Sequence, residues 1–426
     1  MVKKKYTYLI WVILLTQPAL SQSDTLHILY CYDKAKELSP LKQLELLNIN
    51  IHDLNLQNHR TNYLPSLSLN GKASYQSEVI SIPGTGMIQD YPKIPKEQFQ
   101  VSLDISQPIY DGGVTSNSKK LEQSKYRVSE AELETQLYSI HNTINELFFS
   151  ILHLQERIKI LNTTLENLRN QKKLVEARVE NGSMLESNLF QIEKQILTLQ
   201  QDIISSESDR IAFQEMLSEW IGRPVLSNTV LLVPDFEAVE EQPEIQRPEN
   251  ELFRAQRSLL ESQRSITNVE RTPRISAFAQ GGIGQPNPMN FFEVDPSTYY
   301  ILGVRLNWTL YDWGNVSRKK QVYNLQQDMI TSRESDFNRN IGIGLARMYA
   351  EINKLKNVIE KDLEIIALQE RIVQTSFSEF QNGVITSTEY LTELNALTEA
   401  EIKKALHEMQ LSNAFVNIYT STGYEF

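Results

Sequence analysis

The feature that most constrains this chain is an internal repeat in which residues 201 positions apart match. A repeat of this length determines the whole architecture of a chain. Three landmarks share this offset with no net insertion between them: Tyr110-Asp111 and Tyr311-Asp312, Asn181-Gly182 and Asn382-Gly383, and Gly222 and Gly423. The chain therefore consists of two copies of one unit, which we place at residues 22–223 and 249–426.

Each copy is predicted to run in the order helix, strand, loop, strand, very long helix, tight turn, helix. The first copy has strands at about 64–76 and 98–111, a long helix at about 113–181 and a turn at 181–184. The second has strands at about 274–284 and 299–311, a long helix at about 314–381 and a turn at 382–385. Residues 224–248 join the copies. They carry four prolines among acidic residues, so we expect no regular helix or central strand there.

The predicted strands alternate apolar and polar residues. In one strand of each hairpin the apolar positions are Phe99, Val101, Leu103 and Ile105, and then Tyr300, Leu302, Val304, Leu306 and Trp308. Each strand has about ten residues, which is enough for a tilted strand to cross a bilayer. Aromatic residues near the strand ends fit a membrane interface: Tyr299, Tyr300, Trp308 and Tyr311. A membrane barrel is predicted, and a soluble sandwich with one solvated face is the alternative.

Four strands are too few to close a barrel, and an open sheet edge in lipid is very costly. Strands from several copies of the chain can close one barrel together, and three subunits would give twelve strands. Long loops rich in Pro and Gly close both hairpins, at about 80–96 and 284–296. Long loops on one side are typical of the outer face of such a barrel.

The predicted long helices carry a heptad pattern of apolar residues. In the first copy the pattern includes Leu133, Leu137, Ile140, Ile144, Leu147, Ile151, Leu154, Ile158, Leu161, Leu165 and Leu168. No Pro or Gly interrupts residues 114–181. A helix of about 68 residues is roughly 100 Å long, which exceeds a compact domain. Each Asn-Gly turn is expected to fold the long helix back on its successor as an antiparallel hairpin.

Residues 1–21 are predicted to be a signal peptide. Three lysines precede a short apolar run, and Ala19 and Ser21 supply small residues for cleavage. Cys31 is the single cysteine, so an intramolecular disulfide is excluded; we expect it at an ordinary helix position. No later apolar stretch reaches the length of a transmembrane helix. The mature protein can therefore enter a bilayer only as a barrel.

Composition and motifs argue against several functions. The formal net charge of −11 disfavours a nucleic-acid partner. No histidines have a metal-binding spacing, and the Gly-rich segment 281–284 lacks the partners of a phosphate loop. We therefore expect no enzyme activity, no catalytic residues, no metal and no cofactor.

Taken together, the motifs resemble those of the TolC-type outer-membrane efflux family. The resemblance covers nearly the whole mature chain and rests on Leu64-Pro65-Ser66-Leu67-Ser68, Gln107 to Gly113, Tyr311 to Gly314 and the two Asn-Gly turns. It implies a mainly α fold of two repeats that forms a homotrimer. Its parts would be a twelve-stranded β-barrel in outer-membrane lipid and a twelve-helix tunnel in the periplasm. It further implies a passive channel of a tripartite efflux or type I secretion system, with a periplasmic adaptor and an inner-membrane pump as partners. The cargo would be drugs, toxins, metals or small proteins.

The resemblance also implies functional residues. In the family, hairpin tips contact the adaptor, and the matching positions are Asn181, Gly182, Ser183, Met184, Asn382, Gly383, Val384 and Ile385. The family's periplasmic gate matches Phe380, Ile385, Glu389 and Thr392. Ile385 stands where the family has a basic residue and Thr392 where it has an acid, so Phe380 and Glu389 remain the candidates for the constriction. Glu389 is either a carboxylate ring in the trimer or a solvated helix-start acid near Thr386.

A second function fits the same patterns. The chain could be a soluble periplasmic coiled-coil adaptor or scaffold with a small β-domain. The two functions differ in fractionation, because a channel subunit requires detergent and an adaptor remains soluble.

Overall fold

The computed structural model describes residues 25–80, 93–233, 244–290 and 292–424. The predicted signal peptide (1–21) lies outside these residues, as do positions 81–92 of the first long loop and 234–243 of the linker. Among the described helices, none has both the length and the hydrophobicity to cross a bilayer.

The two repeats contain the same order of long helices and hairpin strands. The first comprises β1 (Thr25–His27), α1 (Ile28–Leu38), α2 (Gln43–Thr61), β2 (Ser66–Tyr75), β3 (Glu97–Tyr110), α3 (Val114–Tyr138), α4 (Ile140–Glu180) and α5 (Glu186–Ile221). The second comprises α6 (Pro248–Val269), β5 (Arg274–Gln285), β6 (Ser297–Asn307), α7 (Asn315–Gln381) and α8 (Ser387–Thr422). A short strand, β4 (Val230–Leu232), lies between them.

The long strands form one antiparallel sheet in the order β2-β3-β5-β6. The central pairing joins the two repeats, because β3 pairs with β5, from Phe99 opposite Gln285 to Tyr110 opposite Ile275. The last pair between β5 and β6 is Arg274 with Asn307. β6 therefore ends before the predicted limit at 311, because β5 offers no residue that could pair further along. Strands β2 and β6 are left as the two edges of the sheet.

The helices pack side by side in two groups along the long axis. Next to the sheet the order of contacts is α2, α3, α6 and α7. Farther away it is α5, α4, α8 and α7, with α5 also touching α8. Helix α7 thus lies at one side of both groups, and α2 and α5 lie at the opposite side.

The first long helix is interrupted at Ser139, which corrects the prediction of one continuous helix over 113–181. Ser139 keeps nearly helical dihedral angles, with φ −62° and ψ −19°. Its hydroxyl donates to the carbonyl of Gln136, an alternative to regular helix bonding. Next to it, the Tyr138 hydroxyl donates to the carbonyl of Thr420 in α8 at 2.9 Å. No Pro or Gly signals this interruption in the sequence.

A compact apolar core surrounds the middle of the first long helix. Strand β1 pairs in parallel with β4, so the linker does contain a strand, although not a central one. Leu26 and Leu231 from these strands pack with α1, α4 and α5. Cys31 is buried in α1 within this core, and burial raises the pKa of its thiol to about 12. Cys31 therefore behaves as a packing residue rather than a reactive one.

The repeated Tyr-Asp motif caps the start of each long helix. The Asp111 carboxylate accepts hydrogen bonds from the backbone N–H groups of Gly113 (2.8 Å) and Thr115 (2.7 Å). Asp312 does the same for Gly314 and Val316 at the second helix. Partial burial pushes the pKa of Asp111 up, but hydrogen bonds from Thr115 and Gly113 outweigh it, so the net pKa is lowered. The motif thus marks where a strand turns into a helix.

Replacing Asp111 with alanine is expected to loosen the start of α3. Loss of an N-terminal cap costs about 1 kcal/mol. Hydrogen exchange of the amides at 113–117 should therefore speed up roughly fivefold, whereas Asp111→Asn, which can still accept one bond, should change it less. Because the pKa of Asp111 is lowered in the folded protein, the cap should also weaken as pH falls through that pKa. Unchanged exchange in the alanine variant would contradict the capping role.

Candidate functional site

The sheet has one continuous apolar face. Strand pairing places Leu67, Ile105, Ala279 and Leu302 in one row across all four strands. Large side chains of this face are strongly exposed in the single chain, for example Leu302 at 70 %. An apolar patch that spans a whole sheet is not a stable surface in water. This face requires lipid or protein to cover it.

The opposite face of the sheet is polar and internally hydrogen-bonded. The Gln280 amide donates to the Ser102 hydroxyl at 3.2 Å, and the Asn70 amide donates to Asp104. Charged side chains also lie on this face by strand alternation: Lys72, Asp104, Arg274 and Arg305. The two faces therefore suit two different solvents, as in a membrane barrel.

Tyr299 corrects one detail of the predicted aromatic belt. It lies on the polar face, is only 7 % exposed, and accepts a hydrogen bond from Gln100. Its neighbour Tyr300 lies on the apolar face and is 78 % exposed. Alternation places consecutive residues on opposite faces, so only one of these two tyrosines can contact lipid.

The loop after β5 folds over the polar face at the sheet end remote from the helices. A side chain on Gly284 would meet Pro288 at 2.9 Å, which places Pro288 over the sheet. The Asn287 amide donates to the Ser297 hydroxyl at 2.8 Å and holds the loop in place. A cleft of about 260 Å³ remains between this loop and polar-face residues that include Lys72 and Gln100. The loop narrows the space in front of the polar face.

The first predicted tip is a regular helix-ending turn. Gly182 has φ +69°, a left-handed conformation that glycine adopts without strain. The Ser183 N–H donates to the Arg178 carbonyl and the Gly182 N–H to the Val179 carbonyl, both at 2.9 Å. This bonding pattern is a Schellman motif. The Asn181 amide adds a bond to the Ala177 carbonyl.

The second predicted tip repeats the first. Gly383 has φ +74°, and the Val384 N–H donates to the Glu379 carbonyl at 2.9 Å. No atom lies within 4 Å of the position that a side chain on Gly383 would occupy. Conformation rather than space therefore requires glycine here. Val384 is 71 % exposed, which is unusual for a valine and leaves it available for a partner.

The structure brings the two tips together. A cleft of about 560 Å³ is lined by residues of both turns, including Ser183, Met184 and Asn382 to Thr386. The Arg178 guanidinium donates to the carbonyl of Gln381, so a side chain of one repeat holds the backbone of the other. Both tips thus form one end of the molecule.

Phe380 lies inside the helical bundle. It is 2 % exposed and stacks on Tyr390 with ring centroids 5.7 Å apart. Ile385 is partly buried in the same apolar cluster. In the single chain, Phe380 therefore supports the tip from within, and its predicted place in a constriction remains a prediction.

Glu389 forms a capping box with Thr386, which is the helix-start arrangement that the sequence offered as one alternative. The Glu389 carboxylate accepts from the Thr386 N–H at 2.7 Å and from its hydroxyl at 2.9 Å. The backbone bond and then the hydroxyl bond lower the pKa of Glu389. Its carboxylate is therefore ionised near neutral pH and directed back toward its own helix. The Thr392 hydroxyl likewise donates to its own helix, at the Thr388 carbonyl.

Tyr390 is a tip residue that the sequence analysis missed. Its side chain is fully buried between α7, α4 and α8, and its hydroxyl donates to Gln171. Burial raises the pKa of Tyr390 to about 12. It lies four residues before Leu394, so heptad spacing could have placed it in the apolar seam. Tyr390 thus links Phe380 to Gln171 of α4.

Within the described ranges, no group of three His, Cys, Asp or Glu residues is arranged to hold a metal ion.

Comparison with known proteins gives one family and one fold. A family model described as outer membrane efflux protein matches residues 49–223 and 242–424. The solved structure of CusC, described in terms of transmembrane channel formation, is 15 % identical with a TM-score of 0.69, covering 97 % of this chain and 96 % of that chain. The outer membrane protein VceC from Vibrio cholerae is 14 % identical with a TM-score of 0.66, covering 94 % and 96 %. No curated protein matches this chain significantly. At these identities the solved structures establish the fold.

Proposed function

The chain belongs to the outer membrane efflux protein family, and we propose that three copies of it form one passive channel. The prediction of an outer-membrane efflux channel with a periplasmic helical tunnel is confirmed by this membership, which argues against the soluble adaptor or scaffold. Channels of this family are conduits rather than enzymes. In tripartite efflux systems they work as trimers with adaptor and pump partners.

The observation that carries the proposal is the incomplete sheet. Its apolar face is exposed, and its edges β2 and β6 have no partner among the described strands. A lipid-exposed edge leaves backbone groups without hydrogen bonds, at several kcal/mol for each group. Pairing β2 of one chain with β6 of the next removes every edge when the ring closes. Three chains of four strands then give a twelve-stranded barrel with the polar face inside.

The helical sides of the chain support the same closure. Helix α5 carries exposed apolar residues at seven-residue intervals: Phe190, Leu197, Ile204 and Ile211. Helix α7, at the other side, exposes Leu363, Ile365, Leu368 and Ile372. Seven-residue spacing is the pattern with which helices pack along their length. We infer that α5 of one copy packs on α7 of the next, which continues the ring below the barrel.

The tips are the proposed adaptor-contacting surface, comprising residues 181–184 and 382–385. Their support is the exposure of Val384 and the cleft of about 560 Å³ between the turns. Open space around Gly182 and Gly383 leaves room for a partner to approach the backbone. The lining mixes apolar side chains such as Met184 and Val384 with hydroxyl and amide groups such as Ser183 and Asn382. It therefore suits an adaptor segment that presents both apolar and hydrogen-bonding side chains.

Replacing Gly383 with valine is expected to reduce export several-fold while the barrel still inserts. A β-branched residue at positive φ costs about 1–2 kcal/mol and distorts the turn. The measurement is cargo accumulation in cells, with outer-membrane fractionation to verify insertion. Gly71→Val is the matched control, because Gly71 lies in β2 with open space around it and a strand conformation. Equal export in both variants would remove the tip assignment.

The proposed periplasmic constriction involves Glu389 and Phe380 in different ways. Glu389 is exposed beside the second tip, so three copies would place three carboxylates around the axis. Such a ring favours cations. Phe380 would act indirectly, because it is buried and positions Tyr390.

The experiment that tests the proposed function is conductance in a planar bilayer. Detergent-extracted protein should form long-lived, water-filled pores with a uniform unit conductance. Folded trimers that leave the bilayer silent would contradict the channel function.

A further inference from the structure

We propose that the interior wall of the barrel is electropositive and favours anions in the barrel part of the pore, with Lys72 and Arg305 as the residues that determine this preference. The inference rests on the proposed function, since it requires the polar face of the sheet to line the pore. It also runs against the composition of the chain, whose net charge of −11 would suggest a preference for cations.

Basic side chains outnumber acidic ones on the polar face of the sheet. Strand alternation places three cations there, Lys72, Arg274 and Arg305, against one acid, Asp104. They lie at different heights along the strands. Lys72 pairs with Gln100 near the loop end, Asp104 pairs with Ser68 farther down, and Arg305 pairs with Ser276 closer to the helices. In a trimer each position becomes a ring of three like charges.

The three cations of the polar face are exposed and lack carboxylate partners among the described residues, whereas the one acid is partly buried and hydrogen-bonded. Within the described part of the chain, Lys72, Arg274 and Arg305 have no carboxylate partner. All three are exposed. Asp104 is only partly exposed; one of its oxygens accepts from Asn70 and the other is buried. The Arg305 guanidinium lies over the Phe278 ring at 5.1 Å, which keeps it on the polar face.

The passage is narrowed close to one of these rings. Lys72 lines the cleft beneath the loop that Asn287 anchors, and Pro288 lies over Gly284 in the same row of the sheet. Narrowing brings a passing ion closer to the Lys72 ammonium group. The loop itself carries Glu293, which accepts from the Asn287 amide at 3.4 Å, and Asp295, which is exposed. Both acids precede β6, so they lie outside the rows of strand residues that carry the cations. A charged wall backed by lipid focuses its field into the pore, and rings of Lys or Arg favour anions.

The test uses the intact trimer in a planar bilayer with a tenfold KCl gradient at pH 7, and KCl alone is the probe. The reversal potential gives the permeability ratio of chloride to potassium. Lys72→Gln and Arg305→Gln are each expected to lower this ratio by at least about 1.5-fold, and the double variant to lower it further. Asp104→Asn should raise it. Lys72→Arg, which keeps the charge, should retain the ratio of the unmodified protein.

Glu97→Gln is the matched control for Asp104→Asn, because both changes remove one carboxylate charge. Glu97 pairs with Tyr75 on the apolar side of the sheet, so its variant should leave the ratio unchanged. The proposal is overturned if the Lys72 and Arg305 variants conduct with an unaltered ratio, or if the control shifts it as much as Asp104→Asn does. A trimer that does not conduct at all would instead overturn the proposed channel function.

Discussion

Replacing Leu69 with arginine is expected to keep the protein out of the outer membrane. Leu69 lies in the middle of β2 on the apolar face and is 73 % exposed in the single chain. An arginine near the middle of the bilayer on a lipid-facing strand costs about 2–4 kcal/mol. The change occurs in every chain of a trimer, so its cost is incurred once per subunit. The measurement is the fraction of protein recovered with outer membrane after cell fractionation.

The neighbouring position provides a matched control. Asn70 lies on the polar face, where its amide donates to Asp104, so Asn70→Arg would place the new charge beside a carboxylate in water. This variant should reach the outer membrane at nearly the normal level. If the two variants fractionate alike, the assignment of the two sheet faces is wrong, because a one-residue shift along a strand exchanges lipid for water.

Replacing Tyr390 with alanine is expected to loosen the tip end of the tunnel. Tyr390 is fully buried and touches both Phe380 and Phe377. Removing a buried aromatic side chain costs about 3–5 kcal/mol. The loss falls between α4, α7 and α8, so hydrogen exchange at 371–394 should rise by at least tenfold, while the barrel strands stay protected. Single-channel recordings should show a higher open fraction, since the contacts that hold the hairpins together are weakened.

Tyr390→Phe separates packing from hydrogen bonding. It keeps the ring against Phe380 and removes only the hydroxyl that donates to Gln171. Its cost should be about 1 kcal/mol, since one neutral hydrogen bond is lost. Equal exchange in the alanine variant and in the unmodified protein would show that the tip does not depend on this ring.

The fold was predictable where its signals are local. Strand alternation identifies the faces because side chains alternate with a period of two, and the heptads identify buried helix positions such as Leu137 and Leu168. The Tyr-Asp motif recurs because the same carboxylate cap is needed at both long helices. The register of 201 residues arises because the Tyr-Asp motif, the Asn-Gly turn and the final glycine are equally spaced in both repeats. The order β2-β3-β5-β6 depends on pairing between repeats, about which neither hairpin carries a local signal.

Other features depend on tertiary contacts that a single segment does not reveal. The interruption at Ser139 coincides with contacts from Tyr138 to α8, more than 280 residues away. Proximity along the chain places Tyr299 with Tyr300 in the predicted aromatic belt, whereas strand alternation puts their side chains on opposite faces. Tyr390 is buried only because helices of both repeats meet at the tips. Sequence periodicity reports which face of a segment is apolar, but not what lies against it.

The candidate site also has one part with a local sequence signal and another that depends on tertiary contacts. The turns at Gly182 and Gly383 were predictable because Asn-Gly favours a left-handed residue, and both glycines have positive φ. The constriction was assigned by resemblance to a motif of which two positions differ in this chain. Glu389 caps its own helix and Phe380 is buried in the helical bundle, so each residue has a structural role within the single chain. Their function in a constriction depends on neighbouring subunits and remains a proposal.

Counting the chains in one particle tests whether three copies share one barrel. Native mass spectrometry of detergent-extracted protein should give three copies per complex, with no stable monomer when detergent is withdrawn. A folded, monodisperse monomer in aqueous buffer would rule out a shared barrel, because such a chain would have to satisfy both sheet edges and cover its apolar face alone.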